Sequence, residues 1–379
     1  MPKVEKTPKG YATRLSLTDP LTGRRVQKRI SARTIRLLDA EVARVRAEWN
    51  SGTYIEPDRT TVSQWLRTWH STYRASPNTR YQRGYHIKTY IEPELGDIPL
   101  VRLRYSHCQD FVDKLVMKGL APNSVRAIVS TLSVALIQAV RRQLIAANPC
   151  DDLVLPSIGP KRWCVLDEQQ ARLLVSETRD DLLHAAWVLF ITLGVRRGEL
   201  IALDWRDVDL SAGTLRIERT LTRMESGKRH VGDEAKTDAG RRTIRLPQVC
   251  LDALRRHRAR QNERRLSLGE LWQDDGALFD QGDGTRLSPD VLSRQFRDVK
   301  QRLGLPVGLR LHDLRHSAIT LMLVSGVPLM AVTRMVGHSS PATTMSTYAH
   351  VLRTMEDQAT DRIDDLFRDA GDDDRAVGI

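Results

Sequence analysis

Two stretches rich in proline and glycine cut this chain into three segments whose hydrophobic periods differ, and that division limits the fold more than any other feature of the sequence. Gly52 and Pro57 close the first segment. Asn148-Pro149 and the run Pro156-Ser157-Ile158-Gly159-Pro160, followed by Lys161 and Arg162, close the second. Proline removes a backbone donor and fixes φ, and glycine loses most entropy on ordering, so neither run continues a helix or a central strand. At 379 residues the chain is also too long for one ordinary core, and two or three domains are expected.

In the first segment, residues 10–30 alternate as two short strands around Pro20 and Gly23. Residues 34–50 place Ile35, Leu38, Val42, Val45 and Trp49 at helical spacing. A small β-sheet with one helix is expected over 1–56. From 60 to 156 the period is helical throughout: Val62, Trp65, Leu66 and Trp69, then Tyr81, Tyr85 and Ile87, then residues 108–116. The clearest helix runs from Pro122 to Arg142, with Val125, Ile128, Val129, Leu132, Leu136, Ile137 and Val140 along one side. Residues 163–379 read as α-rich with a β-hairpin insert. There Leu182–Leu193 is an apolar helix, residues 214–222 form a strand, residues 243–247 are its partner, and residues 237–240 make the turn. The fold class is therefore mainly α with small β elements, an α+β chain.

Charge narrows the partner. The formal net charge is +12, which fits a densely anionic partner such as nucleic acid. Residues 1–50 carry twelve Lys/Arg against five Asp/Glu, whereas residues 356–379 carry three against nine, so the two ends have different tasks. Cys108, Cys150, Cys164 and Cys250 are scattered without a C-x-x-C pair, which predicts buried free thiols in a reducing cytoplasm and neither a zinc knuckle nor a disulfide framework. No apolar run is read as membrane-spanning and the start lacks a signal-peptide core, so a cytoplasmic protein, associated with the nucleoid and without a membrane partner, is expected.

Several residues can carry chemistry. His312 and Arg315 share a helical face at spacing three, so an imidazole and a guanidinium can converge on one point. His312 and His316 are spaced as in two-histidine zinc sites, but Asp313 and Leu314 do not supply the glutamate that follows the first histidine there, and no metal is expected. Arg196 follows the end of the apolar helix, with Glu199 three residues on, within reach to hold the guanidinium fork. Each of these, and Lys236 at a hairpin turn, also reads as an ordinary surface or structural residue when taken alone.

Taken in order, Gly194-Val195-Arg196-Arg197-Gly198-Glu199, Lys236 in a hairpin, His312-x-x-Arg315, Gly337-His338 and Tyr348 resemble the tyrosine site-specific recombinases, the phage integrase family. The stretches 321–340 and 233–247 are similar to the family's approach to its late histidine and to its lysine hairpin. The basic N-terminus is similar to the arm-site-binding domain of larger integrases, residues 60–156 to the core-binding domain, and residues 163–379 to the catalytic domain.

The resemblance implies a DNA strand-cleaving and rejoining enzyme that works without a cofactor. Tyr348 is the implied nucleophile, forming a 3′-phosphotyrosine bond, and Arg196 and Arg315 clamp the phosphate. His312 assists proton removal, Lys236 protonates the leaving 5′-oxygen, His338 binds a phosphate oxygen, and Glu199 supports Arg196. Implied partners are double-stranded DNA at core and arm sites, a homotetramer on DNA, and an excisionase or host DNA-bending protein. Integration or excision of a phage or mobile element is the implied role. The alternatives are a resolvase-type recombinase, a type IB topoisomerase-like enzyme and a non-catalytic DNA-binding regulator. An acidic helix over residues 351–367, with Leu352, Met355, Ala359, Ile363 and Leu366 on one side, is expected to pack on a neighbouring protomer or on its own catalytic domain.

Overall fold

The computed structural model describes residues 4–18, 23, 25–51, 54, 59–159, 163–224, 228–232, 241–337, and the single positions 340, 345, 348 and 364. The chain divides into two compact units, residues 1–159 and 160–379.

The first unit holds two separate apolar cores. At its start β1 (Val4–Thr7), β2 (Gly10–Thr18) and β3 (Arg25–Ala32) form an antiparallel sheet in that order. The sequence predicts only the latter two strands, because Val-Glu-Lys-Thr is too short and too polar to show alternation. Helix α1 (Ile35–Asn50) starts where the Thr34 hydroxyl accepts the Leu37 N–H, and it packs Leu38 and Val45 on Leu15, Leu17 and Ile30. Ile35, expected on that stripe, is 49% exposed. The opposite face of the sheet presents Arg14 across from Arg29 and Ser16 across from Gln27, all exposed.

The second core is helical. Helix α2 (Val62–Thr72) begins at a Thr61/Gln64 capping box; α3 (Pro77–His86) passes through a π-turn at Ile87–Ile91 into α4 (Glu92–Leu95); α5 (Tyr105–Met117) and α6 (Pro122–Arg141) complete it. Helix α6 buries Val125, Ile128, Val129, Leu132 and Leu136, and the Trp65 indole donates to the Ala135 carbonyl at 3.0 Å. This helix is long and apolar enough to cross a membrane by length and composition, which corrects the expectation that no run reaches that length. Its apolar side lies in the core of the unit. Cys108 and Cys150, far apart in sequence, are both buried in the same core.

The second unit is built around α8 (His184–Leu193), nine of whose ten residues are buried, so it has no polar face and must be surrounded. It packs against α7 (Glu168–Glu177), α10 (Gln248–Leu268) and α12 (Asp313–Val324), while α9 (Arg197–Ala202), α11 (Pro289–Arg302) and α13 (Leu329–Val336) complete the helical shell. Helix α8 begins two residues later than predicted, because Asp181–Leu183 form the turn that enters it. Strands β4 (Val208–Asp209), β5 (Thr214–Ile217) and β8 (Arg242–Arg245) pair in that order, with Leu215 opposite Ile244. The predicted partnership of β5 with β8 is present, but the two strands are not one simple hairpin. A second antiparallel pair, β6 (Thr220–Arg223) and β7 (Arg229–Gly232), intervenes, so the predicted strand 214–222 is two strands. The predicted turn at 237–240, and the C-terminal helix apart from Asp364, lie outside the described residues.

Candidate active site

Helix α8 ends on Gly194, whose φ of 60° lies in the left-handed region. A Cβ there would meet Val336 Cγ1 at 3.2 Å, Ala318 Cβ at 3.5 Å and Arg315 Cγ at 3.6 Å, so both the backbone conformation and the close approach require glycine. That approach brings the Gly194 carbonyl to Arg315, whose Nη1 donates to it at 2.5 Å.

Two residues on, Arg196 is the N-cap of α9. Its backbone N–H donates to Glu199 Oε2 at 3.0 Å, its Nη1 to Glu199 Oε1 at 2.6 Å, and its Nη2 to the Gly337 carbonyl at 2.6 Å. Glu199 therefore holds Arg196 as expected, and it does more. Arg242, on β8, donates its Nη2 to Glu199 Oε2 at 2.9 Å and its Nε to the Met335 carbonyl at 2.7 Å. Burial alone would raise the Glu199 carboxyl, but the hydrogen bond and charge of Arg242 and the charge of Arg196 outweigh it and hold the group below the ordinary carboxylate value. One buried anion thus organises two arginines, and both arginines hold carbonyls at the end of α13. There Gly337, with φ of 70°, ends α13 in the left-handed region.

Helix α12 supplies the rest. Asp313, 1% exposed, accepts the Arg310 N–H at 2.9 Å, which fixes the first turn and sends Arg315 inward. Arg315 is 3% exposed, and its Nη2 is shielded from solvent with no hydrogen-bond partner among the described residues. Burial and the neighbouring charge of Arg196 pull its guanidinium down to about 9, which leaves it cationic at neutral pH. A buried cation with a vacant donor, beside a second guanidinium, is a receptor for an anion with several oxygens.

Tyr348 reaches the same place and is 1% exposed, packed with Ile319, Leu323, Val332 and Val336. Burial raises its hydroxyl above the ordinary phenol value, opposed by the charge of Arg315, so the phenol is neutral. Its hydroxyl lies 2.5 Å from Nδ1 of His316. The sequence assigns that neighbourhood to His312. The structure instead leaves His312 exposed at the start of α12, its ring perpendicular to that of His316 with centroids 5.3 Å apart. The helical turn explains the exchange: His312 precedes the first buried residue of α12, whereas His316, four positions on, is one turn inside.

The structure thus brings together Arg196, Glu199, Arg315 and Tyr348, with His312 at the rim. Lys236 and His338 lie outside the described residues. Sequence reasoning missed Arg242 and His316. Arg242 follows Arg241 within the stretch 233–247 with nothing to distinguish the two, and the only signal at His316 is its zinc-like spacing from His312.

The description of the phage integrase family matches residues 165–355, and that of the phage integrase N-terminal SAM-like domain matches residues 61–116. The chain is 24% identical over 377 residues to a protein named tyrosine recombinase XerC-like from Caldanaerobacter subterraneus, covering 94% of this chain and 96% of that one. It is 28% identical over 358 residues to the ICEBs1 integrase of Bacillus subtilis, covering 92% and 95%. Among solved structures, the Tn1549 transposon integrase in complex with a circular intermediate DNA aligns with a TM-score of 0.66 at 20% identity, over 79% of this chain and 99% of that one. A lambda integrase dimer bound to a core site aligns with a TM-score of 0.57 at 20% identity, over 92% and 94%. At such identities these likenesses speak for the fold.

Proposed function

This chain belongs to the phage integrase family, and from that premise we propose that Arg196, Arg315 and Tyr348 are the cleavage machinery of a site-specific DNA recombinase that serves a phage or other mobile element. The observation that carries this reading is Arg315, buried and with an Nη2 that has no partner among the described residues, standing between the charge of Arg196 and the phenol of Tyr348.

The tyrosine oxygen attacks the scissile phosphate, forms a 3′-phosphotyrosine bond and releases a 5′-hydroxyl. A 5′-hydroxyl from another strand reverses the step, and the stored bond energy makes recombination independent of ATP. Charge gathers on the non-bridging oxygens in the transition state, where Arg196 and Arg315 act as fixed counter-charges already oriented by Glu199, Gly337 and Gly194. His312 takes the phenolic proton once the hydroxyl has left His316. Lys236 protonates the leaving oxygen and His338 binds a phosphate oxygen, roles the family resemblance supplies.

The partner is double-stranded DNA, held by residues 60–156 and 163–379 at a core site, in a homotetramer. A tetramer of lambda integrase on a Holliday junction has the same fold, with a TM-score of 0.55. The exposed face of the N-terminal sheet, with Arg14 beside Arg29 and Ser16 beside Gln27, suits a second DNA site, because a narrow polar strand pair fits the major groove. An excisionase or a DNA-bending host protein would set direction. The enzyme works in the cytoplasm, where its DNA is.

Tyr348→Phe removes one oxygen and should abolish the covalent adduct on a nicked suicide substrate while leaving gel-shift affinity unchanged. An adduct that persists in the variant overturns the assignment. Cleavage should continue in EDTA, since the guanidiniums supply the positive field.

A further inference from the structure

A nucleophile that is 1% exposed, beside an arginine that is 3% exposed, cannot reach a phosphodiester in duplex DNA. Tyr348 must therefore leave its pocket before chemistry, and whatever holds it there sets how often it is available. Among the described residues, three features hold it. Its ring is packed among Ile319, Leu323, Val332 and Val336, its hydroxyl is bonded to His316 Nδ1, and His316 is itself only 8% exposed under the indole of Trp163, with ring centroids 3.7 Å apart. The His316 ring thus lies between Trp163 on one side and the tyrosine hydroxyl at its edge.

Trp163 occupies a particular place in the chain. It follows within four residues of the boundary between the two compact units. On its other side the chain is pinned to α12, where the Leu166 N–H donates to Ser317 Oγ at 2.8 Å and the Ser317 hydroxyl donates to the Asp313 carbonyl at 2.9 Å. The indole therefore stands three residues before the point where the chain is fixed to α12.

Resting on the assignment of Tyr348 as nucleophile, we propose that Trp163 is a positioning residue which, by clamping the His316 ring, keeps Tyr348 withdrawn, and that displacement of Trp163 releases the nucleophile. With the indole gone, the imidazole can rotate away and the phenol loses the acceptor that satisfies it in an apolar pocket. A hydrogen bond of this kind is worth about 0.5–1.5 kcal/mol net, so its loss shifts the withdrawn-to-released ratio by roughly twofold to tenfold. His316 thus serves the resting state. If it were instead the proton acceptor during cleavage, its removal would slow the reaction.

The test uses the full chain without DNA and then with a core-site suicide substrate. Tyrosines are modified with tetranitromethane and mapped by mass spectrometry, and adduct formation is timed at saturating DNA. Trp163→Ala and His316→Ala should raise nitration of Tyr348 severalfold over wild type, with the other tyrosines unchanged, and should speed adduct formation within the same range. Trp163→Phe, which keeps a ring on His316, should behave as wild type. Trp163→Leu retains apolar bulk without the ring-to-ring contact, and it provides the measurement should the alanine variant melt early. Unchanged nitration of Tyr348 in the alanine and leucine variants overturns the proposal, and so does a His316→Ala enzyme that forms adduct more slowly. The nitration arm does not depend on catalysis, and adduct formation by wild type but not by Tyr348→Phe tests the nucleophile separately, so the two readings fail distinguishably.

Discussion

Arg315 shows how much one position is asked to do. It holds a positive charge in an almost dry place, beside another arginine, with one Nη committed to Gly194 and the other without a partner among the described residues. That arrangement costs stability and gains a directed charge, as expected where charge develops only in a transition state. Arg315→Ala should therefore lower the rate of adduct formation by about 10²–10³ with little change in DNA affinity, judged by single-turnover cleavage against gel shift. Arg315→Lys should recover little, because an ammonium cannot span the Gly194 carbonyl and a phosphate oxygen together. Glu199→Ala strands Arg196 and Arg242 without their buried anion and should cost about 3–5 kcal/mol in urea unfolding. At this scale the sequence was legible where spacing carries geometry: Glu199 three residues after Arg196 can only face back onto it. It was silent where partners come from afar. Nothing in Arg242 or Trp163 announces a contact with Glu199 or His316, because both contacts join segments that meet only through the tertiary fold.

Among elements, α8 was the easiest to read and hides the least expected chemistry. Its uninterrupted apolar run could only be a buried helix, yet its first residue is a histidine that is 4% exposed. His184 Nδ1 pairs with the Thr178 hydroxyl at 3.0 Å. Burial, together with the charges of Arg256, Arg179 and Arg260, depresses its imidazole from 6.5 to about 4. The neutral form is favoured in the folded state, so between those two values the unfolded chain binds more protons. The stabilisation is complete above pH 6.5 and is lost as the pH falls toward 4, at most about 3 kcal/mol. His184→Gln should flatten the fall in melting temperature across that interval, and an unchanged slope would locate the acid sensitivity elsewhere. The β elements were harder to read. Residues 214–222 alternate except at Arg219, too slight a break to announce two strands, and their division into β5 and β6 comes from pairing with two different partners, Arg242–Arg245 and Arg229–Gly232, which periodicity cannot express.

At the scale of the whole molecule the division of labour follows charge. The boundary between the two compact units, after Gly159, falls within the Pro156–Pro160 run. The break at Gly52 and Pro57 lies between the two cores that the first unit keeps. The N-terminal core is small, with a cluster of five buried apolar residues among the described residues, and such a core serves to present a surface more than to stabilise the chain. That surface is the polar sheet face opposite α1, in a segment whose net charge is +7 over residues 1–50. A basic sheet gives sequence-independent affinity through phosphates and can read bases through its central side chains, and neither task belongs to the cleavage site. Removing residues 1–55 should leave adduct formation at a core site within about twofold of wild type, because no group placed at the phosphate lies in the deleted part. The same deletion should abolish recombination of substrates that need a distal second site. Arg14→Ala with Arg29→Ala should reproduce that loss without truncation and lessen the salt dependence of binding by about two phosphate contacts. Footprints at both sites that match wild type in the double variant would mean that the sheet face is not the reader.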